Sequence, residues 1–205
     1  MKRTRENFKK LKKSKYFYIG LIVLIFGFVF NSLSTVYVST LKENLVPLQD
    51  TLLDAIPSIG SFYYFYNIVA ILIVLTFLIF IASKKKYAEL PYFMLLIGIF
   101  YIIRGLFIAL TPFGNPEISY ERFMSQLDVL RFGLYPSGHT GLAFLMGLFT
   151  EGVYRKIMLV SVFFLAIGLL IAHGHYSMDI FAAIIFAYAL YSFGEMHLKG
   201  FKGLD

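Results

Sequence analysis

The chain has 205 residues, 59% of them apolar and 15% charged, with a formal net charge of +7 and no cysteine. A soluble domain is nearer 45–50% apolar and about 25% charged, so this composition excludes an ordinary soluble protein and a disordered one. Without cysteine there is no disulfide, no zinc–thiolate site and no thiol nucleophile.

Residues 1–15 hold the first feature: Lys2, Arg3, Arg5, Lys9, Lys10, Lys12, Lys13 and Lys15 against one acid, Glu6. Nucleic-acid arms have the same composition. Here an apolar run from Tyr16 to Val38 follows at once, so the cations read as the cytoplasmic flank of a membrane helix and not as a nucleic-acid partner site. That run is too long for a signal-peptide core and no small-residue cleavage site follows it, so no cleaved leader is expected.

A spanning helix needs about 20 apolar residues. Hydropathy predicts six, at roughly 16–38, 61–82, 90–112, 136–154, 157–174 and 176–196. Lys84-Lys85-Lys86 ends the second, and Arg155-Lys156 separates the fourth from the fifth. The break between the last two, around His173 to Asp179, is short enough to predict a tight hairpin. The fold class expected is therefore an all-α integral membrane protein, a bundle of six transmembrane helices. Its parts are a basic flank (1–15), one membrane domain (16–196) and a tail (197–205).

Fifteen of the 19 Lys and Arg fall in the N-terminal flank, the 84–86 loop, the 155–156 turn and the tail. Cytoplasmic loops carry such an excess, which predicts both termini inside and the loops near 39–60 and 113–135 outside.

Ionisable residues at membrane depth are costly and mark function. Arg104 lies toward the outer end of the third predicted helix, His139 near the start of the fourth, and His175 and Asp179 near the start of the sixth. All are predicted to lie at the same, non-cytoplasmic face. Pro136-Ser137-Gly138-His139-Thr140 reads as a helix start with Ser137 as N-cap. Gly138 permits close backbone approach, and helix N-terminal amides favour an anion. His175 and Asp179, four apart, share a helix face, so the carboxylate can fix the imidazole tautomer and leave its other nitrogen as a nucleophile or base. Arg104 matches a phosphate. Three convergent metal ligands are not evident. Two His, an Asp, an Arg and an anion-binding helix start suit phosphoryl transfer without a metal or other cofactor.

Pro136-Ser137-Gly138-His139 followed by His175-x-x-x-Asp179 resembles the type-2 phosphatidic acid phosphatase superfamily over roughly residues 45–190. That superfamily has six membrane helices and these two motifs in this order. Its first motif places Arg-Pro six residues after a Lys; here Arg104 is followed at that spacing by Thr111-Pro112. The Ser-Arg it usually has before the second His is Gly168-Leu169. These departures are nearer the sphingomyelin synthase branch, with its Arg, Thr-Pro, Ser-Gly-His-Thr and His-Tyr-[Ser/Thr]-x-Asp. Pro47-Leu48-Gln49-Asp50, Asp54 and Pro57 are similar to that branch's first-outer-loop motif. Gly133-Leu134 replaces its usual Gly-Asp, and Pro136 is of the phosphatase type.

The resemblance implies His175 as the nucleophile, Asp179 as its orienting acid and His139 as general acid and then base. Arg104, Ser137, Gly138, Thr140 and, from the second outer loop, Arg131 would hold the phosphate. The substrate would be a phospholipid or lipid phosphate of the outer leaflet of the cell membrane. The acceptor would be a lipid alcohol such as ceramide or diacylglycerol (a head-group transferase) or water (a phosphatase or phospholipase C-type hydrolase). A lipid-binding or transport protein without catalysis is the alternative of another class. His173 reads as structural, His197 as interfacial, and Glu117, Glu121 and Asp128 as solvated.

Overall fold

The computed structural model describes residues 14–116 and 132–202, together with Leu11. The basic run up to Lys13 and the loop with Glu117, Glu121, Arg122, Asp128 and Arg131 lie outside the described residues. Seven α-helices are described: α1 (Lys15–Thr40), a short α2 (Thr51–Asp54), α3 (Phe62–Lys84), α4 (Leu90–Leu110), α5 (Gly138–Phe149), α6 (Gly152–Ile171) and α7 (Ser177–His197). Among the described residues there is no strand, only one isolated bridge between Pro47 and Gly114.

Five helices, α1, α3, α4, α6 and α7, are long and apolar enough to cross a membrane. They lie within a few residues of their predicted positions, and their outward side chains are apolar: Ile22, Ile71, Phe163 and Ile185 are all well exposed. Such helices suit a lipid solvent, and the chain is a multi-pass membrane protein. The predicted fourth span departs from expectation. Helix α5 has 12 residues, about 18 Å at 1.5 Å per residue, short of a hydrocarbon core about 30 Å thick. The reason is local. Thr150 and Glu151 are extended and Gly152 adopts φ +59°, which turns the chain into α6. The Arg155 guanidinium donates to the Thr150 and Leu148 carbonyls and so satisfies the end of α5.

The short helix is the centre of the bundle, in contact with α3, α4, α6 and α7. Eight of its residues are buried: Gly138, Thr140, Gly141, Ala143, Leu145, Met146, Gly147 and Phe149. Phe100 of α4 lies directly against Gly141, where any Cβ would collide with its ring. Helix α1 packs along α4 through small residues: Gly20 faces Pro91 and Gly27 faces Gly98. Lipid is as apolar as leucine, so close backbone approach and van der Waals contact drive such pairing.

The described cationic loops gather at one end of the bundle. Lys86 pairs with Glu89 at 2.7 Å and lies 3.8 Å from Glu151. Lys202 pairs with Glu195, which also accepts from the Tyr92 hydroxyl at 3.0 Å. The two motif segments lie at the opposite end.

Candidate active site

The starts of α5 and α7 are stitched together by backbone: Ser137 N–H donates to the Asp179 carbonyl at 3.0 Å. That bond sets the two motifs side by side, although 35 residues of chain separate their histidines. The His139 and His175 rings meet edge to face with centroids 6.2 Å apart. Tyr66 of α3 also meets His139 edge to face, with centroids 5.7 Å apart.

His175 Nδ1 lies 3.1 Å from Asp179 Oδ2. The same oxygen accepts from Tyr176 N–H at 3.0 Å, so the carboxylate both caps α7 and pairs with the imidazole. Asp179 is 0% exposed and His175 5%. The Asp179 Oδ1 atom has no hydrogen-bond partner among the described residues. An ionised carboxylate accepts only, so beside it Nδ1 is the donor, and in the neutral ring Nε2 then holds the free lone pair.

Arg104, 7% exposed, is more engaged than its sequence position indicates. Its Nε donates to the Pro136 carbonyl at 2.7 Å, one Nη to Asn31 Oδ1 at 2.5 Å, and the other Nη to the Gly133 carbonyl. Two of its five N–H groups therefore brace the segment that leads into α5 and a third ties it to α1, with two over. Gly138 makes this possible, since a Cβ there would lie 3.1 Å from the Arg104 Nε.

A cavity of about 500 Å³ reaches these groups. Asn67, Ala70, Ile71, Val74 and Leu75 of α3 form one wall; Tyr101 and Arg104 of α4 and Gly138, His139 and Leu142 of α5 complete it. Ile71 and Leu75 are also exposed on the outside of the bundle, so the cavity adjoins the lipid-facing surface. Its polar groups sit at one end and its apolar wall runs about two helical turns along α3.

The sequence-predicted residues thus divide. His139, Gly138 and Arg104 line the cavity, and the His175–Asp179 pair stands buried behind His139 without lining it. Ser137 and Thr140 are 0% exposed. The Ser137 hydroxyl accepts from Thr140 N–H at 3.3 Å and lies 3.1 Å from the Thr140 hydroxyl, so both build the cap beneath the cavity. Arg131 lies outside the described residues. Thr111 bonds back to the Phe107 carbonyl at the exposed end of α4, away from this cluster. His173, at φ 49°, holds the Ile56 carbonyl at 2.8 Å, a structural tie between the loop that follows α2 and the α6–α7 turn. Among the described residues no three side chains of metal-ligating type converge.

Sequence reasoning missed Asn31, Asn67 and Tyr176. Two lone amides inside apolar spans were the available signal for the first two. The Tyr176 hydroxyl accepts from Leu48 N–H and donates to the Gly114 carbonyl, both at 3.0 Å, so one phenol joins two loops. The sequence matches no family model and no curated protein.

Proposed function

We propose that the protein is a membrane phosphotransferase acting on phospholipid head groups at the non-cytoplasmic leaflet, with both termini and the cationic loops on the cytoplasmic side. One observation carries the reading. Two histidines, one at the start of α5 and one just before α7, lie with ring centroids 6.2 Å apart, one paired to a buried carboxylate and the other lining an apolar cavity beside an arginine. His175 Nε2 bonds to phosphorus while the phosphorus–oxygen bond to the donor lipid's alcohol breaks, and His139 protonates the departing oxygen. In the second half the acceptor hydroxyl oxygen attacks phosphorus, His139 takes its proton and the phosphorus–nitrogen bond breaks. Asp179 holds the imidazole tautomer, and the two spare N–H groups of Arg104 face developing charge on the phosphoryl oxygens.

The test uses purified protein with fluorescent phosphatidylcholine or phosphatidic acid, with and without ceramide or diacylglycerol. A product that requires the lipid alcohol supports the transferase. Free phosphate or phosphocholine as the sole product assigns water as the acceptor and makes the protein a hydrolase. Turnover that survives His175→Ala, or an acid-labile phosphoprotein that never forms, overturns both readings.

A further inference from the structure

Asp50 stands outside this chemistry, in the first outer loop, yet its carboxylate is the most heavily bonded at this end of the described chain. Oδ1 accepts from Leu52 N–H and Leu53 N–H, both at 3.1 Å, and from the Ser177 hydroxyl at 2.9 Å. Oδ2 accepts from Ser177 N–H at 2.6 Å. One side chain therefore caps two helices: its own short α2, and α7, which begins 127 residues later.

The second cap matters because of what α7 carries. Ser177 is the first residue of α7, between Tyr176, whose N–H is held by Asp179, and Asp179 itself. The free N–H groups of a helix start attract whatever anion can reach them. With Asp50 on Ser177, Asp179 serves only Tyr176 N–H and His175 Nδ1. Without Asp50, Asp179 is the only carboxylate left among the described residues at that helix start. It is then drawn toward Ser177 and away from the imidazole. The rest of the loop is tied to the same turn, Leu48 to the Tyr176 hydroxyl and Ile56 to His173.

We propose that Asp50 is a positioning residue, which holds the His175–Asp179 pair in register by occupying the Ser177 amide from the outer loop. The inference rests on the reading of His175 as the nucleophile. Two substitutions break the same bond from opposite sides. Asp50→Asn replaces an acceptor with a donor at one oxygen position. Ser177→Pro removes the N–H where proline is well tolerated, at the first residue of a helix, after a Tyr176 already extended at ψ 154°.

The experiment measures both variants, and the double variant, in two ways. In micelles of ¹⁵N-histidine-labelled protein, the Nδ1–H resonance of His175 is assigned by its loss in His175→Ala. In turnover of the fluorescent phospholipid, kcat and KM are separated. We expect each single variant to shift or broaden that resonance and to lower kcat roughly 10- to 100-fold with KM unchanged, the loss that small misplacements of a reacting group cause. The double variant should be no worse than either single one. An unchanged resonance and kcat in Ser177→Pro overturns the inference and leaves Asp50 as a cap of α2 alone; so do losses that add. Turnover that persists in His175→Ala overturns the nucleophile assignment, whereas the resonance still reports whether Asp50 holds the pair.

Discussion

At the scale of single residues, Asn31, Asn67, Arg104 and Asp179 in the apolar helices each have a hydrogen-bond partner, and those partners differ in kind. Arg104 was legible as a misplaced cation, but not its use. The groups it bonds lie on Asn31 of α1 and on Gly133 and Pro136 before α5, and only the packing of these segments around α4 brings them to it. The His175–Asp179 pair was expected on one helix face, but His175 stands before α7 and Tyr176 is extended, so the pair forms across the helix start, where Asp179 also caps Tyr176 N–H. In the proposed mechanism the carboxylate stabilises the imidazolium as well as the tautomer. Asp179→Asn keeps the volume and loses the charge, and single-turnover rates should fall about 10²- to 10⁴-fold, the range of a general acid–base contribution. Asp50 gives a pH prediction. Burial pushes its carboxyl up, but hydrogen bonds from Leu53, Ser177 and Leu52 outweigh burial and hold it below the ordinary carboxylate value. A group depressed in the folded state stabilises fully above its unfolded pKa, near 3.9, and that stabilisation is lost as pH falls through the lower folded value. Thermal unfolding followed in detergent from pH 6 downward should show a fall in midpoint below about pH 4. Asp50→Asn should lack that part of the fall.

At the scale of elements, the long spans were readable from hydropathy to within a few residues, because length and apolarity are all that a membrane asks of them. The fourth was not. What ends the helix after Phe149 is the extended Thr150-Glu151 pair, a left-handed Gly152 and a guanidinium that caps from five residues on. A window about 20 residues wide averages these polar positions with the apolar ones around them and so runs past the stop. Packing was equally invisible: Gly20, Gly27 and Gly98 are ordinary glycines until two helices are laid together. Gly141 is the sharpest case, with the Phe100 ring where a side chain would go. Gly141→Val should destabilise by about 1–3 kcal/mol, the usual cost of overpacking a filled interior, measured as a lower unfolding midpoint. It should also lower lipid turnover, because α5 carries His139.

At the scale of the whole molecule, the described loops around Lys86 and Lys202 and the catalytic candidates separate to opposite ends of the bundle. The described cations Lys86 and Lys202 join acidic partners at one end, while Arg104, His139, His175 and Asp179 meet at the other. The proposed sidedness can be read directly, since the chain has no native cysteine to replace. Glu43→Cys and Lys85→Cys occupy exposed positions near opposite ends. In intact cells or sealed right-side-out vesicles, an impermeant maleimide should label the first and spare the second; the reverse pattern would invert the topology. The two-motif site was legible in outline because its residues are chemically out of place among apolar neighbours. Its supports were not: Asn31 and Tyr176 were missed, and Asp50 stood out as a motif residue without a role, because each acts through a contact across more than seventy residues of chain.

The shortness of α5 has a consequence for the chemistry proposed. Its last turn lies near Glu151, level with Lys86 in the cationic loops. Twelve residues rise only about 18 Å from there. On the proposed topology, with Glu151 at the edge of a hydrocarbon layer about 30 Å deep, the floor of the site would be sunk about 12 Å beneath the far surface. Bulk solvent meets that floor only by way of a recess, whereas a lipid alcohol arrives from the side at nearly the right depth. The competition between acceptors is then a matter of supply. Thickening the bilayer with longer-chain lipids should deepen the recess and raise the ratio of transfer to hydrolysis.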